Sequence, residues 1–423
     1  MDSGILSLSF LILFLFCTTI TLYKFNNKCK LSLFFLSLYT ISALCSLAFY
    51  NVYNIGFYIY NKITIGPFIY WLIMFAFILY PIYKFENISQ ETKGIKYNIK
   101  FIYFICYCGL FVSIIPFLEL LPSLINIFSA SATQNNEFIS DLHDTDIKKE
   151  QLSLIGNYLM KGVWTLYDLS FILVFPILKE KKLNYVAVLG LVMILFTKNM
   201  QTISTVSRTG LLSFLFHTIT TILIFWPYLL KSERKKTLKM AGIFGAIIFF
   251  FFGIITLSRS VTYNEKQSNY TTATFVIRYA GEGFCNYGNY AFNTKKTLNG
   301  ISTLYLPRKI LGYETPITTR DYLYNKAEKH LGIPQNVFYT FIGSFVLDLG
   351  PLLGAVMLIF LGLIAFYIFK RQWELVPLSY IFLLSIYNKI IEFGPISYIY
   401  SNKESEYFLL YLFIFIILRI KKM

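Results

Sequence analysis

The stretch TVSRTGLLSFLF, residues 205–216, sets a guanidinium at the lip of an apolar run that continues to Leu230. Arg208 is bracketed by Ser207 and Thr209, and Gly210 follows. At the start of a helix the first backbone N–H groups lack internal partners, and the dipole adds partial positive charge there. Such a terminus is an anion site. The two hydroxyls add donors, Gly210 lets a ligand approach the backbone, and Arg208 offers a fork matching two phosphate oxygens. The alternative for this arginine is snorkelling to lipid headgroups.

A second set of cations lies in residues 258–337, where ten basic residues stand against five acidic ones. Arg278, Arg308 and Arg320 are among them, interleaved with tyrosines as in RYAGEGFCNYGNYAF (278–292). Guanidinium recognises phosphate, and flat amphipathic rings suit sugar faces and the membrane interface. The combination points to an anionic, sugar-bearing ligand; the plainer alternative is a solvated loop with interfacial aromatics. The segment TTRDYLYNKAEKHLGIPQN follows. Thr318 or Thr319 caps a helix there, Leu323, Ala327 and Leu331 recur at helical spacing, and Gly332 with Pro334 ends it. Lys326, Lys329 and His330 share overlapping faces of that helix. His330 is one of three histidines in the chain and the one in this segment. Histidine is the side chain that most often serves as a general base, with Asp321 or Glu282 as alternatives.

Carboxylates also fall inside apolar runs. Each costs about 2.5–3.5 kcal/mol on insertion scales, yet Glu119, Asp168, Asp348 and Glu392 are all so placed. Asp348 stands in NVFYTFIGSFVLDLGPLLG beside Gly350, Pro351 and Gly354, residues that permit close packing or a broken segment lining a cavity.

The elements that must position these groups follow from composition. The chain has 423 residues, 56% hydrophobic and only 14% charged, with a mean hydropathy of +0.58. A water-soluble domain carries roughly 25% charged residues, so this chain lacks the polar surface to cover itself in water. It is an all-α polytopic membrane protein in expectation, with eleven apolar runs near 5–23, 31–50, 66–83, 101–121, 162–178, 184–200, 209–230, 240–257, 338–369, 375–391 and 405–420. The leader MDSGILSL lacks the basic start of a cleaved signal peptide.

Alternate loops hold 20 of the 38 lysines and arginines in six short segments. The positive-inside rule places those in the cytoplasm and the N-terminus outside. The net charge of +16 is thereby topological, and nucleic acid is not an expected partner. The chain divides into spans one to eight (1–257, with an external loop at 122–161), a large external loop (258–337), and spans nine to eleven (338–423). Six cysteines form no metal spacing or disulfide framework.

The SRTG opening of a mid-chain span, the basic external loop and the N-x-x-YTFIGSFVLDLGPLLG helix resemble the bacterial O-antigen and capsule repeat-unit polymerases, the Wzy-type family. The resemblance implies a C-type glycosyltransferase-like architecture at the outer face of the bacterial cytoplasmic (inner) membrane. Its substrate there is an undecaprenyl-diphosphate-linked oligosaccharide, its surroundings are membrane lipids, and a chain-length regulator protein is a candidate partner. No metal or cofactor is expected. Arg208 and His330 are then the expected catalytic pair. Arg278, Arg308, Arg320, Ser207, Thr209 and Asn336 of the N-x-x-Y motif are the expected substrate-binding residues. A flippase or exporter for the same lipid-linked glycan, or an O-antigen ligase, remains the alternative. An acyltransferase would need a membrane-embedded histidine motif, and His217 in LLSFLFHTITT is the one candidate.

Overall fold

The computed structural model describes residues 2–53, 60, 62–129, 152–180, 182–204, 208–235, 237–239, 242, 245–246, 253, 272–294, 296–313, 327–333, 338–400 and 405–420. The first helices are α1 (Ser3–Phe25), α2 (Lys30–Tyr53) and α3 (Ile65–Ser89). Strand β1 (Gly94–Lys96) precedes α4 (Ile99–Ser129), α5 (Leu154–Leu178), α6 (Tyr185–Ser204) and α7 (Arg208–Phe225). Next come α8 (Thr272–Asn286), with a π-helical extension over Tyr287–Ala291, α9 (Tyr305–Ile310) and α10 (Glu328–Leu331). The chain closes with α11 (Thr340–Phe369), β2 (Leu375–Pro377), α12 (Leu378–Glu392) and α13 (Glu406–Ile420).

Eight helices among the described residues are long and apolar enough to cross a membrane, namely α1 to α7 and α11. In hydrocarbon every backbone polar group needs an internal partner, and a helix supplies one within the segment. The protein is a multi-pass, all-α membrane protein. Two expected spans differ, and a third is outside what the structure describes. The run 240–257 lies almost wholly outside the described residues. At 375–391, Leu375–Pro377 pairs in parallel with Gly94–Lys96, leaving a helix of 15 residues. The last run is likewise a 15-residue helix, about 22 Å against a hydrocarbon core of about 30 Å. The fifth helix starts at Leu154 rather than 162. The Ser153 hydroxyl caps it by accepting from Gly156 N–H at 3.0 Å, while donating to Glu119 at 2.6 Å.

The chain forms two compact units. The first comprises 1–92, 273–374 and 386–413, and the second comprises 93–272, 375–385 and 414–423. In the first, α11 packs on α3, and both α1 and α2 join them. Its core is aromatic: the Tyr39 ring lies 4.6 Å from Phe75, and Trp71 lies 4.9 Å from Phe284 of α8. Residues 281–289 of the expected external loop are buried in this unit. There, Gly281 sits against the Cys45 backbone, and the Ser46 hydroxyl donates to the Gly281 carbonyl at 2.6 Å. In the second unit α4, α5, α6 and α7 pack together. Gly190 of α6 lies so close to the Cys106 carbonyl of α4 that a Cβ would collide with it, the small-residue contact by which membrane helices approach.

A candidate anion-binding turn at a broken helix

The first unit's α11 is two helices in one run. Gly350 interrupts it at φ 81°, ψ 165°, a conformation essentially reserved for glycine, and Pro351 restarts it. A broken helix leaves orphan carbonyls on one side of the break. Here they are claimed by a turn far upstream. Leu298 N–H donates to the Leu347 carbonyl at 3.2 Å, and Gly300 N–H donates to the Asp348 carbonyl at 3.1 Å.

That turn is built by Asn299 and Gly300, both at positive φ, 53° and 78°. It closes through Ile301 N–H to the Leu298 carbonyl at 3.2 Å. Asn-Gly is the dipeptide that tolerates two consecutive positive φ values. Asp348, fully buried, completes the anchor by accepting from Ser302 N–H at 3.2 Å and from the N–H and hydroxyl of Thr303. A buried carboxylate demands such donors. Three of them bind the turn to the helix.

Two of the expected site residues converge on this turn. Arg308 of α9 donates from Nη1 to the Asn299 carbonyl at 3.1 Å and lies over the Tyr313 ring at 5.3 Å, while its Nε is buried with no partner among the described residues. His330 of α10 brings Nε2 within 3.1 Å of the Thr297 carbonyl. A carbonyl only accepts, so Nε2 carries the proton and Nδ1 is the nitrogen able to take one. Gly332, at φ 67°, ends α10 by donating to the Glu328 carbonyl at 2.8 Å, where the sequence expects the stop. Over 296–313 and 327–333 stand four lysines and arginines and one acid, Glu328, while Asp348 bonds to the turn and Glu406 pairs with Lys309. The turn thus carries a guanidinium and an imidazole side by side.

Arg278 is engaged elsewhere in the same unit. Its Nε donates to Glu282 at 3.1 Å, and Glu282 also accepts from Asn286 at 3.3 Å. Asn286 in turn accepts from the Tyr60 hydroxyl at 3.1 Å and donates to the Phe338 carbonyl at 3.0 Å. Burial raises the Glu282 carboxyl above its ordinary range, and the Arg278 charge opposes that shift. Arg208 and Thr209 are the first two residues of α7, in the second unit. Their side chains, and Ser207, Arg320, Asp321 and Asn336 entirely, lie outside the described residues. His217, also in the second unit, is buried edge-on to Phe171 at 4.7 Å, with Ser385 Oγ 3.3 Å from Nε2.

Sequence reasoning missed the anchoring role of Asn299, Gly300 and Thr303. The Asn-Gly pair in KTLNGIST was the available signal. No protein-family profile, no curated protein and no solved structure matches this chain.

Proposed function

We propose that this protein is a glycosyltransferase that joins undecaprenyl-diphosphate-linked oligosaccharide repeats at the outer face of a bacterial cytoplasmic membrane. The observation that carries the reading is the convergence of Arg308 and His330 on one turn, fixed where a membrane helix breaks. The acceptor hydroxyl oxygen bonds to the anomeric carbon of the donor glycan. The bond from that carbon to the diphosphate oxygen breaks, and its electron pair leaves with the diphosphate. Arg308 stabilises the charge that develops on the leaving group, and His330 Nδ1 takes the hydroxyl proton. The same chemistry serves O-antigen or capsular product.

The test is the surface glycan of a deletion strain, resolved on a gel after complementation. Wild type restores a ladder. Arg308→Ala and Arg208→Ala, at normal protein levels, leave a single repeat on the surface carrier. A full ladder from Arg308→Ala overturns the assignment. Loss of all repeats from the surface, with intermediates held inside the cell, identifies an exporter instead.

A further inference from the structure

Beyond that reading, though it shares Arg308 with it, the surroundings of α9 carry a second conclusion. The nineteen residues Pro351–Phe369 form the longer half of α11. At 1.5 Å per residue they span about 28 Å, close to the hydrocarbon thickness of about 30 Å. Their outward residues, from Leu352 at 81% exposed to Tyr367, are apolar or aromatic, so one edge of the hydrocarbon lies at the Gly350 break. The 297–304 turn is fastened at that level through Leu347 and Asp348. Lys309 of α9 pairs with Glu406 at 2.6 Å. Glu406 opens α13, whose exposed apolar face starts two residues later at Phe408.

At this level α9 ends in an exposed apolar tip. Ile310, Leu311 (71% exposed) and Tyr313 all face outward. Gly312, at φ 76°, turns the chain, and Tyr313 N–H returns to the Arg308 carbonyl at 2.9 Å. The guanidinium of Arg308 stands directly behind the tip, over the Tyr313 ring. Two aliphatic residues, a tyrosine and a cation on one tight turn are the residue types that the headgroup boundary favours. The Arg308 guanidinium beside the tip favours a negative headgroup.

We infer that α9 is an interfacial foot: Ile310, Leu311 and Tyr313 insert among lipid headgroups and upper acyl chains, and Arg308 binds the headgroup of an anionic phospholipid. The ligand is a lipid at the bilayer surface, whatever reaction the protein performs.

The experiment places a reporter in the tip. Full-length Leu311→Trp protein is reconstituted in phosphatidylcholine vesicles, and its emission is compared with wild type, which contributes four tryptophans. The added emission is lost when the lipid carries bromine near the upper acyl chain, and aqueous iodide leaves it unchanged. Quenching by iodide and not by brominated lipid overturns the insertion. Ile310→Trp is the second reporter if the first is not recovered folded. For the headgroup, brominated phosphatidylglycerol diluted into plain phosphatidylcholine quenches more than brominated phosphatidylcholine at the same dilution. Arg308→Gln abolishes that preference. Equal quenching by the two lipids, or a preference that survives Arg308→Gln, overturns the anionic-lipid site. The readout is depth and proximity, so the insertion of Ile310, Leu311 and Tyr313 stands or falls apart from the glycan ladder test. For Arg308, which serves both readings, the lipid-preference arm reads the headgroup and the ladder reads the reaction.

Discussion

Two buried carboxylates hold different sets of donors. Asp348 accepts from two backbone N–H groups and a hydroxyl, all on the 302–303 stretch. Asp348→Ala strands those donors, each at about 1–3 kcal/mol, and lowers the melting temperature of purified protein in detergent. Asp348→Asn, which keeps the shape and one acceptor, loses less; a wild-type melting temperature for the alanine variant refutes the anchor. Glu282 has a raised carboxyl pKa, so the folded state holds its proton to higher pH than the unfolded state does. Stability from this group is present below the ordinary carboxylate range and falls as pH rises toward the raised value. Melting curves taken across that window show the decline in wild type, and Glu282→Gln flattens it. The role of Asp348 was half legible: an acid beside Gly350 and Pro351 in an apolar run signals a break. Its partners stand 45 and 46 residues upstream, a separation that no local pattern encodes. Arg278 and Glu282 stand four apart, the spacing of a helical ion pair. The helix that makes them neighbours carries no span-like apolar run, so Arg278 reads from sequence as a free cation.

The helix break is the element on which the site depends. Gly350→Ala places its Cβ 3.5 Å from Thr297 Cγ2, an ordinary contact, so its cost is backbone strain, about 1–3 kcal/mol. A lowered melting temperature with that magnitude is the expected outcome. Unchanged stability would mean that alanine is accommodated at the break. Long apolar helices were legible because twenty or more apolar residues in a row admit one reading. The short ones were not. An apolar run from Leu375 looks like a span, yet its first three residues form strand contacts with Gly94–Lys96, and pairing partners distant in sequence leave no periodic trace. The burial of α8 is equally silent, since Gly281 and Gly283 matter through the Cys45 and Pro395 backbones they meet.

For the whole molecule, orientation is the property that the distribution of lysine and arginine predicts and that cysteine labelling decides. With Cys17 changed to serine, Lys329→Cys reacts with an impermeant maleimide in intact cells, whereas Lys235→Cys reacts only after permeabilisation. The opposite pattern inverts the topology and removes the external chemistry proposed above. The order of synthesis adds a consequence of the small parallel ladder. Its first strand, Gly94–Lys96, leaves the ribosome long before its mate, Leu375–Pro377, and chains are made N-terminus first. Until translation passes Pro377 the second unit lacks a strand, and after that it still awaits part of α12 (378–385) and part of α13 (414–420). Before Pro377 is made its early edge is open to any extended backbone nearby. Completion of this unit is therefore a late event in biogenesis, and a chain halted inside α11 would leave the edge uncovered.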